Sequence, residues 1–346
     1  MAFREILGRS PDLDGLTHYR RVLREGLGRT AVLLDIMRSE EFTAKLKEHS
    51  TSLPSLRVKR PERYREATDR TNGQAITLFE VASASDFDWL EAAILGHGYY
   101  EKPGVWNLRI DADKRVVAEI VASFQPRRPL EVGCAAGAVI ECLEEYNIVA
   151  EGVEISSLGV ARASARIRDR IHHGDLLSLD LAPEYDVVFG LDVFEHLNPN
   201  RLDHYLARLV QITQADACLL CNIPAFGTDP IFGTVFPFYV DGWEEDAAAG
   251  RPFSTLHVDT LGYPIHGHLI WADARWWTEK FQSFGFQREA DIERALHGKY
   301  DGYMEKHSPA RKSYFIFAKP GFAHKRAAVT RLILHSDSRV LYPTSF

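Results

Sequence analysis

The stretch Leu130-Glu-Val-Gly-Cys-Ala-Ala-Gly-Ala-Val-Ile140 constrains what this chain can fold into more than any other. A short apolar run after Pro129 passes through a bend of small residues and leaves into Val139-Ile-Glu-Cys-Leu143, which has helical spacing. The segment therefore predicts strand, tight turn, helix. Gly133 and Gly137 permit backbone conformations and close approaches that a side chain would block, and the first turn of the new helix points unpaired N–H groups above the strand. A nucleotide-like ligand is expected there.

Counting positions narrows the ligand. A dinucleotide-binding turn wants glycine at 133, 135 and 138, where the chain has Gly133, Ala135 and Ala138. The alternative pattern, an acid followed by glycine at every second position, is met by Glu131, Gly133 and Gly137, with Ala135 the smallest departure available. Val149-Ala-Glu-Gly-Val-Glu-Ile155 reads as a second strand ending in Glu154, 21 positions after Gly133, where a carboxylate can take both ribose hydroxyls. A helix over 158–169 leads to Ile171-His-His-Gly-Asp175-Leu176, and Tyr185-Asp-Val-Val-Phe-Gly-Leu191 gives an apolar fourth strand before Asp192-Val-Phe-Glu195-His196. A helix after Pro199 and a fifth strand over 217–224 complete the alternation. Strands alternating with helices predict a parallel, doubly wound sheet whose ligand sits at the carboxyl ends of the strands.

The loop at Glu131–Gly137, the acid Glu154, Asp175 and the Asp192-x-x-Glu195-His196-Leu197 cluster resemble class I S-adenosylmethionine-dependent methyltransferases, over residues 99–319. The resemblance implies an α/β fold with a Rossmann-like seven-stranded sheet, with Ser313–Lys319 as the seventh, edge strand. It implies S-adenosylmethionine as cofactor, S-adenosylhomocysteine as product, and contacts from Glu131, Gly133, Cys134, Ala135, Gly137, Glu154, Ile155, Asp175, Leu176 and Leu191. Tyr100 and Trp106, ahead of the first strand, would place aromatic faces near the sulfonium. Methyl transfer would proceed by in-line displacement, where orientation alone is worth on the order of 7 kcal/mol. A hydroxyl acceptor must also lose a proton, and His268, His196 and Asp192 are the catalytic candidates, with His266 nearby. Histidine is preferred because its unperturbed pKa of about 6.5 suits proton transfer near neutrality. The trio Asp192, Glu195 and His196 also resembles the divalent-ion cluster of some quinone-type O-methyltransferases; a hard cation there would lower the acceptor's pKa, although a metal-free site is favoured.

Residues 1–48 read as a separate helical unit, with Leu13, Leu16, Tyr19, Val22, Leu23 and Leu27 at helical spacing. Ile6-Leu-Gly-Arg-Ser-Pro-Asp-Leu-Asp-Gly-Leu16, His18-Tyr19 and Ser39-Glu-Glu-Phe42 resemble a phycobilisome-linker-related module of unknown function that often accompanies bacterial cell-surface glycan enzymes. That company makes a sugar or surface-glycan hydroxyl the expected acceptor, and makes the module a possible surface for a protein partner or self-association. A calcium loop from Asp12 is not expected, because its twelfth position is Leu23. Residues 49–78 read as a linker, 79–320 as the catalytic domain with an aromatic acceptor lid over 225–270, and 321–346 as a tail.

A net charge of −7 without a basic stripe argues against nucleic acid as substrate. No long apolar run marks a membrane segment, and the N-terminus lacks the apolar core of a signal peptide, so a cytoplasmic protein is expected. Four cysteines suit a reducing compartment, and Cys218 and Cys221 in a strand should face opposite ways and form no redox pair. The reading that emerges is O-methylation of a glycan intermediate. Methylation of a quinone, phenol or amine is the alternative, and a non-catalytic cofactor-binding scaffold is a third.

Overall fold

A computed structural model of the chain describes residues 13–24, 53–102, 109–338 and 340–341. Most of the 1–48 module, Trp106 and the last five residues lie outside the described residues. The chain divides into two compact units, residues 1–53 with 102–105 and residues 54–101 with 106–346. In the first, the described helix is α1 (Leu13–Arg24), which carries Arg21 and Arg24 in its last turn, where positive charge suits the carbonyl end of the helix dipole.

The second unit opens with strands β1 (Tyr64–Thr68) and β2 (Ala75–Glu80) and helices α2 (Ala84–Gly96) and α3 (Ala112–Ser123). Next come β3 (Pro129–Val132), α4 (Ala138–Leu143), β4 (Glu151–Glu154), α5 (Ser157–Arg162), β5 (Ile171–His173), β6 (Tyr185–Leu191), α6 (Leu202–Ile212) and β7 (Thr213–Asn222). The remainder adds α7 (Trp243–Ala248), β8 (Thr255–Val258), α8 (Ala274–Gln282), β9 (Gln287–Arg288), α9 (Ala290–His307), β10 (Tyr314–Ala318) and α10 (Arg326–His335). Local chemistry sets these boundaries. β6 is buried from Tyr185 to Gly190, the near-continuous run of a strand covered on both faces. Asp111 caps α3 by accepting the Lys114 N–H at 3.0 Å, and Asp273 caps α8 through the Trp276 N–H at 2.7 Å.

The seven-stranded sheet runs β9-β10-β7-β6-β3-β4-β5, with β10 antiparallel to both of its neighbours and the pairs from β7 to β5 parallel. This is the Rossmann-like α/β sheet that the resemblance implies. One correction concerns its margin: the strand expected at the edge, over 313–319, lies second from it, and the two-residue β9 forms the edge. A second concerns the helix expected over 158–169, which ends at Arg162 because Ala163 turns to extended backbone (φ −61°, ψ 143°). Helices cover both faces. Val117, Ile120, Ile140, Leu296, Tyr300 and Ile333 pack on one, and Leu206, Leu209, Trp277 and Phe281 on the other. Cys218 and Cys221 fall on opposite faces, free and buried.

The described part of 49–78 is not a linker. β1 and β2 form an antiparallel hairpin, and β2 pairs with β8, so that Phe79 stands opposite Leu256. The stretch 225–270 is likewise built rather than open. Trp243 stacks on Phe253 at 5.3 Å between ring centres and Phe226 on Trp271 at 5.1 Å. Ala225–Phe226 and Ala272–Asp273 pair in parallel and close the excursion. The tail also has a place, because Val329 and Ile333 of α10 are buried against the sheet's helical layer. Among the described residues no helix is long and apolar enough to cross a membrane.

Candidate active site

The bend after β3 is held by the end of β4. The N–H groups of Gly133 and Cys134 both donate to Val153 O, at 2.8 and 3.1 Å, and the Ala135 N–H donates to Glu154 Oε2 at 2.7 Å. Glu154 Oε1 accepts the Ser156 N–H at 2.7 Å. The residues expected to share a ligand are thus in direct contact. Gly133 has φ +70° and Gly137 φ +71°; a Cβ at the first would stand 2.5 Å from Val193 Cγ2, and at the second 2.4 Å from Ile167 Cδ1. Neither position accepts a side chain without movement. Ala135 adopts φ +48°, which explains why a pattern of this kind prefers glycine there.

Two buried carboxyls belong to the strands that flank this bend. Burial pushes Glu131 well above the usual carboxylate range, the charge of Glu154 adds to it, and Lys114 and Arg311 oppose it. Glu131 Oε2 has no hydrogen-bond partner among the described residues. Burial also raises Glu154, against the pull of the Ser156, Ala135 and Ile155 N–H groups. Cys134 is buried, which lifts its thiol well above normal. Ile155 is 44% exposed beside Glu154, an apolar surface open for a flat ring. Leu176 is buried, Leu191 half-buried, and Asp175 already accepts from Arg201 at 2.8 Å, Tyr205 at 3.0 Å and the Leu177 N–H at 2.9 Å.

The segment ahead of α3 is tied to the first turn of α5, just past Glu154, by Glu101. Its carboxylate accepts the N–H groups of Ser157 and Leu158, each at 2.8 Å, and the Ser157 hydroxyl at 3.0 Å. Burial raises that carboxyl, and the N–H groups of Leu158 and Ser157 outweigh it and hold it below the usual range. Tyr100 follows, its carbonyl accepting from Ser156 Oγ at 3.3 Å and its hydroxyl 3.3 Å from His196 Nδ1.

Past β6 the backbone brings the candidate acids and bases together. The N–H groups of Leu269 and Ile270 donate to Glu195 O at 2.7 and 2.9 Å, which sets His268 beside Glu195 and His196. The His196 and His268 rings meet edge to face at 4.6 Å, and His266 lies 5.6 Å from His268. Burial, with His266 adding, pushes His196 down to about 3, and burial takes His268 well below its normal value. Both rings are therefore neutral at physiological pH. Asp192 is the exception to the expected grouping. At φ +53° its carboxylate turns to Arg311 Nη1 at 2.6 Å, and the same nitrogen donates to Asn222 Oδ1 at 2.6 Å. The ligand-capable atoms that converge are those of Glu195, His196 and His268, which corrects the trio of Asp192, Glu195 and His196.

With this geometry in view, residues 130–221 match the family described as Methyltransferase domain. Over those residues the chain carries a methyltransferase domain. Residues 1–46 match a Domain of unknown function (DUF4214), and the linker-type resemblance goes no further than that. Nodulation protein S of Azorhizobium caulinodans is 29% identical over 111 residues, 31% of this chain and 54% of that protein. Ubiquinone biosynthesis O-methyltransferase of Bordetella avium is 28% identical over 103 residues, 28% of this chain and 43% of that protein. The chain spans about half the length of the curated relatives it matches. A solved 1,6-didemethyltoxoflavin-N1-methyltransferase of Burkholderia thailandensis, with 1,6-didemethyltoxoflavin and S-adenosylhomocysteine bound, is similar at 14% identity and a TM-score of 0.43, covering 73% of this chain and 99% of that one.

Sequence spacing alone does not reach Glu101, Asn222 or Arg311. Arg311 stands 119 residues from its partner Asp192, and only the return of β10 beside β7 brings it there.

Proposed function

We propose that the protein moves the methyl group of S-adenosylmethionine to a hydroxyl of a sugar or surface-glycan intermediate. The single observation that carries the cofactor half is the 2.7 Å bond from the Ala135 N–H to Glu154, which joins the side-chain-poor bend to the carboxylate-ended second strand. The Ile155 surface is free for the adenine, and Glu131 and Glu154, whose charges burial opposes, would gain a counter-charge from a sulfonium and an ammonium group.

The acceptor would approach past Tyr99, Tyr100, His266 and His268, polar-tipped rings that suit a hydroxylated ligand. The Ubiquinone biosynthesis O-methyltransferase relative is named for transfer to oxygen, and the N-terminal match supports a glycan only by association. The hydroxyl proton has to leave toward Glu195, His196 and His268. As free bases these imidazoles are weak, since burial keeps them neutral well below the operating pH.

The test pairs calorimetry with product analysis. Glu154→Ala should weaken S-adenosylhomocysteine binding by tenfold or more, a loss of about 1.4 kcal/mol or greater, and unchanged affinity would mean that the bend holds something else. Mass spectrometry with isotopically labelled cofactor over sugars, phenols and amines should find the label on sugar oxygen. Label on nitrogen alone would reject the acceptor proposed.

A further inference from the structure

Glu195, His196 and His268 each bring one ligand-capable atom into a common space, and the three atoms lie within 4.8 Å of one another. Glu195 is fully buried and neither of its carboxylate oxygens is hydrogen bonded among the described residues. His268 Nε2 lies 3.8 Å from its Oε1. A carboxylate held this way is strongly disfavoured unless a proton or a cation compensates it. The nearby guanidinium of Arg311 is engaged by Asp192 and Asn222, at 2.6 Å each.

We propose that Glu195, His196 and His268 bind one divalent ion of the zinc type at the acceptor mouth. The site goes beyond the methyltransferase reading, because it stands on its own donors whatever the cofactor. Two imidazole nitrogens and a carboxylate oxygen form a borderline donor set that suits zinc or cobalt, whereas magnesium and calcium take shells of oxygen. A tetrahedral ion about 2.1 Å from each donor separates the donors by about 3.4 Å, so the cluster has to close by roughly 1 Å. The Tyr100 hydroxyl, 3.3 Å from His196 Nδ1, is placed as an outer partner that fixes the ring. Three protein ligands leave a fourth position toward the acceptor, where such an ion lowers the pKa of a bound hydroxyl.

Cobalt titration of the full-length protein, stripped of metal by a chelator, reads this site through the visible absorption of tetrahedrally ligated Co²⁺. One ion per chain is expected, with affinity reduced at least about tenfold by Glu195→Gln and by His268→Ala, and changed less by Asp192→Asn, whose carboxylate is held by Arg311. Absence of the absorption in the wild type overturns the site. So does binding that ignores both ligand substitutions, or that Asp192→Asn weakens as much as they do. Displacement of cobalt by a modest excess of Mg²⁺ overturns the zinc-type assignment. If a ligand variant fails to fold, elemental analysis of the wild type as purified decides instead: bound zinc supports the site and metal-free protein that takes up no cobalt refutes it. Calorimetry with S-adenosylhomocysteine on the same samples separates the two readings, since cofactor binding without cobalt binding removes the metal site alone.

Discussion

Ala135 holds φ +48° in the middle of the bend, a conformation that costs a residue with a side chain about 1–2 kcal/mol and glycine almost nothing. Its N–H still reaches Glu154, so the bend keeps its shape without the glycine its pattern prefers. Ala135→Gly should relieve the strain while freeing the unfolded chain, and denaturant unfolding should find stability unchanged or raised by up to about 1 kcal/mol. A clear loss would show that the alanine methyl packs usefully and that the strain is not felt. Glu131 makes the opposite kind of case, a carboxyl whose charge the fold resists. Because its pKa is raised in the folded protein, the penalty is absent below the normal glutamate range of about 4.3 and grows as pH climbs through the folded value. Glu131→Gln should therefore be more stable than the wild type at neutral and alkaline pH, and the two should converge in acid. A difference that is constant with pH would place its origin in packing instead.

Among the elements, the least regular has the clearest assignment. The turn Tyr99–Glu101 is fastened to the first turn of α5 by Glu101, and Ser156 there binds the carbonyl of Tyr100. Glu101→Gln keeps the shape but replaces a charged acceptor of two backbone N–H groups with a neutral one. Hydrogen exchange at Ser157 and Leu158 should accelerate several-fold and bound cofactor should dissociate faster. Unaltered exchange at both amides would mean that the turn is held by its rings and by Ser156 instead. Nothing in the sequence announces this strap, since a single glutamate 56 residues before its partner has no spacing to be read. The β3 bend, Glu154 and the order of strands and helices were legible because each rests on local pattern: apolar runs of strand length, small residues at a turn, an acid at a strand end. The hairpin of β1 and β2 was not. Its burial pattern is mostly exposed or half-buried, and the partner that fixes it, β8, comes some 175 residues later, with Phe79 opposite Leu256. The place of β10 inside the sheet was hidden for the same reason, because strand order depends on which pairings bury most and not on any one segment.

At the scale of the whole molecule the two ends of the chain should behave differently. The division into residues 1–53 with 102–105 and the rest gives the N-terminal module a compact unit of its own. The C-terminal helix α10 has none, because Phe322, Val329 and Ile333 are buried in the cluster that covers one face of the sheet with Ile120 and Leu296. Removing residues 1–48 should leave the methyltransferase domain folded, with a cooperative melt close to that of the full chain and retained S-adenosylhomocysteine binding. Removing everything after Pro320 takes away these three large apolar side chains and uncovers the core they cover, and should yield aggregated protein. A graded version avoids the ambiguity of a truncation that simply misfolds. Ile333→Ala, at a fully buried position, should cost about 2–5 kcal/mol in denaturant unfolding and leave cofactor affinity unchanged, because α10 packs on the sheet face away from α6 and α8 and contributes no residue to the bend. If the substitution costs less than about 1 kcal/mol, the tail is an appendage after all. If it instead weakens the cofactor while stability holds, the helix reaches the site by a route other than the core it shares.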